Sequence, residues 1–261
     1  MKQRIISCLI LLCLFSCQSL GKNKSLLTDK DIPQKDPETL GKIYALIMEI
    51  DALFHENNII YWATAGTLLG AERHNSIIPW DDDADLGFFV RDEIKFLSLI
   101  EKFNKKGIEI CQWGGGYKCY YKESKRIKIP NEDGYYTWKF PAVDLFLMQK
   151  EGNHIVYACK NAKLAFGNKE YFLPSELKTP LPRKRFGPME IPVPHTPQNF
   201  LTRAYGDDWK EMAYISYDHS TEEEIHSIAF RIEQRTSPCY VLPKTFIQWG
   251  ANVAKYGNSS E

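Results

Sequence analysis

The segment Trp80-Asp81-Asp82-Asp83-Ala84-Asp85 packs four carboxylates into five consecutive positions. Like charges at that density repel, and either full hydration or a cation among them must relieve the repulsion. The flanks argue against hydration, because Ile77, Ile78 and Trp80 precede the acids while Leu86, Phe88 and Phe89 follow them. Ala84 to Val90 reads as a strand. Side chains along a strand alternate faces, so Asp81, Asp83 and Asp85 are expected on one side. Mg2+, or Mn2+ in its place, suits such an all-oxygen set, since it is commonly held by one or two carboxylates and substrate phosphates. That is the equipment of metal-assisted transfer of a phospho-group.

A second acid stands apart. Asp144 is the only charge in Pro141-Ala142-Val143-Asp144-Leu145-Phe146-Leu147-Met148. A charge in a buried strand needs a partner, so Asp144 is either the mate of an arginine or the third member of the metal site; lone buried acids favour the second. Upstream, Gly66-Thr67-Leu68-Leu69-Gly70 opens a short helix. Gly66 lets backbone approach a phosphate, and the free amides of the helix start can donate to it. Arg73 follows within that turn, either as a bidentate phosphate contact or as an ion-pair partner of Asp81 or Asp82. His74 reads as an exposed loop residue, and His195 and His219 have no evident partner. Trp62, Trp113, Trp138 and Trp209 read as core, the usual place of large aromatics.

The elements that must carry these residues follow from periodicity. Apolar residues at helical spacing predict a helix over 37–57. Strands are expected at 59–63, 84–90, 108–113, 117–121, 126–129, 142–148 and 155–159, with Gly114-Gly115-Gly116 as a hairpin turn. The triple glycine lacks the lysine and hydroxyl residue of a phosphate-cradling loop. An amphipathic helix is expected over 91–105, with Ile94, Phe96, Leu97 and Ile100 on its apolar face. Recurrent prolines from Pro174 to Pro197 predict an irregular segment, followed by a helix over 198–209 and an acidic helix over 221–235. The fold class is therefore α/β or α+β: a mixed sheet flanked by helices, with an irregular proline-rich C-terminal part.

Composition narrows the function classes. The 261-residue chain has 33 basic and 33 acidic residues and a formal net charge of zero, which offers no basic surface for nucleic acid. Lys2 and Arg4 precede an apolar run from Ile5 to Phe15, a charged segment plus hydrophobic stretch of secretory length. It ends Leu14-Phe15-Ser16-Cys17, which resembles a lipobox with Cys17 as the lipidated residue; an ordinary cleaved signal peptide is the plainer alternative. Residues 18–37 then read as a solvated tether. The remaining cysteines, Cys111, Cys119, Cys159 and Cys239, allow two disulfides in three pairings, or four small buried thiols.

Gly66-Thr67-Leu68-Leu69-Gly70-x-x-Arg73 followed by Ile78-Pro79-Trp80-Asp81-Asp82-Asp83-x-Asp85 resembles the signature of the LicD/fukutin family, which is similar to polymerase-β-type nucleotidyltransferases. Phe186-Gly187-Pro188-Met189-Glu190-Ile191-Pro192-Val193-Pro194 and Tyr205-Gly206-Asp207-Asp208-Trp209 extend the resemblance, which covers roughly residues 40–210. It implies one nucleotidyltransferase domain over 38–210 and a C-terminal extension over 211–261. It also implies a catalytic, metal-holding set of Asp83, Asp85 and Asp144, with Asp81 as a further candidate ligand, and substrate contacts from Gly66, Thr67 and Arg73. The implied reaction moves a phospho-alcohol, phosphocholine- or alditol-phosphate-like, from a nucleotide-activated (CDP-linked) donor to a glycan hydroxyl. A nucleotide-sugar glycosyltransferase using Asp83-Ala84-Asp85, and a non-catalytic surface lipoprotein on a retired transferase fold, are the competing readings. Eukaryotic relatives work in the Golgi lumen behind an N-terminal anchor, so membrane association or export fits the family. Cys17→Ser is expected to move the protein from the membrane to the soluble fraction, and persistence in the membrane pellet would mean a different anchor.

Overall fold

Asp36 starts the first long helix by chemistry rather than by hydrophobicity. Its carboxylate accepts the backbone N–H groups of Glu38 and Thr39 at 3.0 and 2.9 Å, and Pro37 occupies the first helical position, where a missing N–H costs nothing. The computed structural model describes residues 27–166 and 169–244, so Cys17 and the signal-like segment lie outside the described residues. In chain order the elements are α1 (Pro37–Glu56), β1 (Tyr61–Ala63), α2 (Ala65–Arg73), β2 (Ala84–Phe89), α3 (Glu93–Leu97), α4 (Ile100–Lys105), β3 (Ile108–Trp113), β4 (Gly116–Lys128), β5 (Tyr135–Glu151), β6 (His154–Tyr157), α5 (Lys160–Phe166), β7 (Arg183–Phe186), β8 (Met189–Pro192), α6 (Pro197–Tyr205), β9 (Met212–Asp218) and β10 (Glu223–Arg231). No helix among the described residues is long and apolar enough to cross a membrane.

The centre is a six-stranded mixed sheet in the order β1-β2-β5-β4-β3, with β6 paired to the far end of β5. Only β2 and β5 run parallel, their connection passing through α3, α4, β3 and β4. Alternation then sorts the side chains. Ala84, Leu86 and Phe88 of β2 and Val143, Leu145 and Leu147 of β5 are buried in the core, while Asp85 and Asp144 point to the opposite face. The α1 residues Leu40, Ile43, Tyr44, Ile47, Ile50 and Phe54 are fully enclosed in the same apolar cluster. Gly187, at φ 60° in the β7–β8 turn, sits where a Cβ would come within 2.4 Å of the Tyr44 ring. The proline-rich region is thus more ordered than its composition suggests, because this hairpin docks against α1.

Three other expectations are corrected. The single helix over 91–105 is two short ones; Leu99 N–H bonds to Phe96 O, three residues back, and this tight turn brings Phe103 onto Phe96. Phe96, Leu99 and Phe103 form the buried face, whereas Ile94 is 84% exposed. The expected acidic helix over 221–235 is strand β10, antiparallel to β9. The pairing carries a register shift between Glu224 and Ile228. The part of the tether that is described is docked rather than solvated: Thr28 bridges Arg231, and Glu233 and Gln234 N–H groups donate to the Asp29 carboxylate. All four cysteines among the described residues are free thiols.

The β9–β10 hairpin is fastened by Phe230, which is fully buried edge-on against Trp80 at 4.8 Å between ring centroids. Phe230→Ala is expected to lower stability by about 3–5 kcal/mol, the usual result of truncating a buried phenylalanine. Ile94→Ala should stay within about 0.5 kcal/mol, as for other exposed positions. Urea unfolding of both variants checks the pair.

Candidate active site

Sheet register assembles the site. Asp85 on β2 lies opposite Asp144 on β5, and Asp144 lies opposite Lys118 on β4, so the three charges form a row across the sheet. Lys118, which sequence reasoning did not single out, donates to both Asp144 oxygens at 2.8 Å. Its ammonium also lies 4.6 and 5.4 Å from the Trp113 and Trp138 ring centroids and 4.0 Å from Glu222. The only sequence signal for it is the alternation of β4, which turns a lysine toward the sheet face that carries the acids.

The entry of α2 fixes Asp85 from the other side. Asp85 N–H donates to Thr67 Oγ1 at 2.7 Å, and Thr64 N–H donates to Asp85 O at 3.1 Å. The Thr67 oxygen is therefore used as an acceptor, leaving its hydroxyl proton for another partner. Ala65, just before Gly66, holds φ at 42°, an uncommon left-handed conformation for a residue with a Cβ. A Cβ on Gly66 would come within 3.1 Å of Asp81 Oδ2 and 3.5 Å of Asp85 Oδ2. Gly66 thus leaves room for two carboxylates to face one another across the helix start.

Asp83, Asp85 and Asp144 each offer an oxygen within 4.8 Å of the others. Burial raises the Asp85 carboxyl well above its ordinary range, and repulsion from Asp83, Asp144 and Asp81 adds to it. Burial likewise raises Asp81, with Asp83 next in importance. Asp144 is pushed to about 6 by burial, against the pull of Lys118. An all-oxygen set whose members repel one another fits a hard divalent cation.

Asp82 behaves differently. Burial would raise it, but His219 and Lys35 hold it below the ordinary range. Lys35 Nζ lies 2.7 Å from Asp82 Oδ2, and His219 Nδ1 lies 2.9 Å from Asp82 Oδ1. His219 Nε2 meanwhile lies 3.1 Å from Asp83 Oδ2. Burial opposes protonation of the ring, yet Asp83 and Asp82 raise the His219 pKa to about 10, so it is an imidazolium bridging two acids. His219 comes from the turn between β9 and β10, and nothing in its sequence neighbourhood announces so distant a partner.

Arg73 is a correction. It is 4% exposed and donates to Trp209 O and Met212 O at 3.1 and 3.2 Å and to His74 Nε2 at 3.0 Å. Its guanidinium faces backbone and the Trp80 ring rather than a phosphate, and no ion pair joins it to Asp81 or Asp82 among the described residues. His74 is buried, not exposed; burial and then Arg73 lower its pKa to about 4. Because Arg73 Nε can only donate, His74 Nε2 accepts, and Nδ1–H donates to Thr236 O at 3.1 Å. Trp62 and Trp209 are core, as expected, while Trp113 and Trp138 flank Lys118 and Trp138 donates to Glu222 at 2.7 Å.

Comparison with known proteins adds five findings. Residues 58–196 match the family model described as LicD/FKTN/FKRP, nucleotidyltransferase domain. An uncharacterized protein of Rickettsia prowazekii is 33% identical over 178 residues, covering 68% of this chain and 59% of that protein. Ribitol-5-phosphate transferase FKTN of Homo sapiens is 27% identical over 151 residues, 58% of this chain and 29% of that one. Human ribitol 5-phosphate transferase FKRP is 59% identical over 32 residues, 12% of this chain and 6% of its own. The chain spans between half and three fifths of the two Rickettsia relatives it matches, and smaller fractions of the transferases. Among solved structures, the lincosamide adenylyltransferase LnuA has a TM-score of 0.33 at 14% identity, covering 70% of this chain and 90% of that one.

Breaking the Lys118–Asp144 pair from one side leaves a buried uncompensated charge. Lys118→Met is expected to cost about 3–5 kcal/mol of stability, and adding Asp144→Asn should recover part of that loss. Denaturant unfolding of the single and double variants measures both; a neutral single variant would mean the pair does not hold the row together.

Proposed function

Because the chain belongs to the LicD/FKTN/FKRP nucleotidyltransferase-domain family, we propose that it is a divalent-metal-dependent transferase moving a phospho-alcohol group from a CDP-linked donor to a glycan hydroxyl. The observation that carries this reading is the register that sets Asp85 opposite Asp144, with Asp83 close enough to share a ligand. Asp83, Asp85 and Asp144 would hold Mg2+ or Mn2+, which when bound supplies neutralisation of charge on the donor diphosphate. The names of the FKTN and FKRP relatives support an alditol phosphate as the transferred group.

The chain's own residues do the remaining work. Gly66 keeps side-chain bulk away from the place where Asp81 and Asp85 meet, and the first turn of α2 presents amides of the kind that bind phosphate. Thr67 sets the backbone of Asp85 and keeps one proton to donate. Asp144, which burial pushes to about 6 against the pull of Lys118, would either complete the metal shell or take the proton of the acceptor hydroxyl. Lys118 holds that carboxylate in one orientation. Residues 1–17 support attachment of this chemistry to a membrane surface through Cys17.

The test is incubation with Mg2+ or Mn2+ and a panel of CDP-, UDP- and GDP-linked donors. Release of CMP is expected, and UDP release instead would favour a nucleotide-sugar glycosyltransferase. Asp83→Asn and Asp85→Asn should each reduce CMP release by about 100-fold or more, since removing a metal ligand forfeits several kcal/mol of charge stabilisation. Undiminished turnover in correctly folded variants would sink the metal assignment.

A further inference from the structure

Strands β4 and β5 outrun the rest of the sheet. β3 pairs with β4 only as far as Tyr121, and β2 joins β5 only from Val143, so residues 125–128 and 135–140 pair with each other alone, as a two-stranded arm. Because β2 and β5 run parallel, the residues before Val143 leave the sheet at the end where Asp81, Asp82 and Asp83 precede Ala84. The arm therefore rises beside the acids. Its aromatic rings begin at the site itself: Lys118 Nζ, 2.8 Å from both Asp144 oxygens, lies 5.4 Å from the Trp138 ring centroid. Tyr136 continues the row, with its ring 4.7 Å from that of Trp138 and tilted by 32°. Next to it opens a groove of about 460 Å³ lined by Arg126, Tyr135, Tyr136, Thr137 and Lys139. We infer that Tyr136 and Trp138 form a stacking platform for one sugar ring of the acceptor, and that the groove takes the neighbouring sugar. The inference deepens the proposed function and rests on its reading of a glycan as the acceptor.

A sugar ring has an apolar face of C–H groups and a rim of hydroxyls, so its site needs flat aromatic surface beside fixed hydrogen-bonding groups. Both are present. Tyr136 and Trp138 are half-buried, whereas Trp62 and Trp209 are enclosed in the core. Glu222 holds the platform still: Trp138 Nε1 donates to its Oε1 at 2.7 Å, and Tyr217 OH donates to its Oε2 at 3.0 Å. The arm is thereby anchored to the hairpin turn that carries His219. Covering Lys118 accounts for Trp138, but Tyr136 stands two residues farther out, on a part of the arm paired to one strand only. Arg126 and Lys139 lie opposite each other across the arm and bring to the groove donors that suit hydroxyl oxygens. The Arg126 guanidinium lies 4.2 Å from the Tyr135 ring centroid, and Glu109 holds Lys139 at 3.0 Å, so neither cation hangs loose. Continuity with Asp144 selects the occupant. A chain of sugars lying along this row reaches the carboxylate row from the side of Lys118.

The experiment applies the full chain, with Mg2+ and CMP, to an array of defined oligosaccharides, and calorimetry measures affinity for the saccharide bound best. Tyr136→Ala should weaken that binding by about 10-fold, the scale of one lost aromatic stacking contact. Tyr136→Phe, which keeps the ring, should retain most of it, and Tyr214→Ala, which removes an exposed tyrosine of β9, should leave it unchanged. CMP release to water from the CDP-linked donors, measured without acceptor, separates the subsite from the reading it rests on. CMP release with no saccharide bound, or with binding unmoved by Tyr136→Ala, overturns the subsite and leaves the proposed reaction standing. Tyr136-dependent saccharide binding without CMP release from any donor supports the subsite and removes the proposed reaction; absence of both overturns both. A Tyr136-dependent dimer in sedimentation, in place of saccharide binding, makes the arm a contact between copies and also overturns the subsite. Circular dichroism confirms that each variant is folded.

Discussion

Mutual repulsion among Asp81, Asp83, Asp85 and Asp144 is the constraint to which the rest of the molecule answers. The acids face one another because β2 and β5 run parallel in a register that leaves no freedom to splay them apart. A one-residue slip would turn Asp85 or Asp144 into the apolar core, so the Leu86, Leu145 and Val143 side of the sheet enforces the crowding on the other side. The protein meets this strain with two internal cations. Lys118 grips Asp144 from within the sheet, and His219 reaches Asp82 and Asp83 from outside it. Lys118 sits on strand β4 and His219 in the turn that joins β9 to β10, so the balance of charge depends on the backbone pairing.

The helix α2 works as a bracket between the sheet and the C-terminal segment. At its start, Thr64 and Thr67 bind the backbone of Asp85. At its end, Arg73 and His74 bind the carbonyls of Trp209, Met212 and Thr236, and Ser237 donates back to His74 O at 2.8 Å. An arginine is well suited to this task because its planar fork can serve several carbonyls at once, and it stays charged even where burial lowers its pKa to about 10. One nine-residue helix therefore ties the acids to the hairpin that helps to neutralise them.

Local patterns in the sequence were readable wherever one element explains itself. The 37–57 periodicity became α1, the triple glycine became the β3–β4 turn, and the acids, Gly66, Thr67 and Asp144 lie near one another. What escaped was set by contacts distant in the chain. Arg73 looked like a phosphate ligand because its partners, two backbone carbonyls more than a hundred residues away, carry no side-chain signature. Strand β10 looked helical because all of its residues but Phe230 are exposed, so it carries no alternation of buried and exposed positions. Lys118 and His219 were invisible as site residues because a lysine in a strand and a histidine in a turn acquire meaning only through pairing register. Composition likewise pointed to a free tether where Asp29 and Lys35 actually bind the C-terminal segment and Asp82.

The distance along the chain between these partners has a kinetic side. Asp82 and His219 are 137 positions apart, and Asp29 and Gln234 are 205 apart, so their contacts close long loops. Loop-closure entropy is paid before such contacts return anything, which makes them slow to form. The sheet with its Lys118–Asp144 pair can assemble from residues made earlier, whereas the imidazole arrives only when the final hairpin docks. The imidazole is therefore carried by the part of the chain made last, and its contact with the acids waits on the docking of that hairpin.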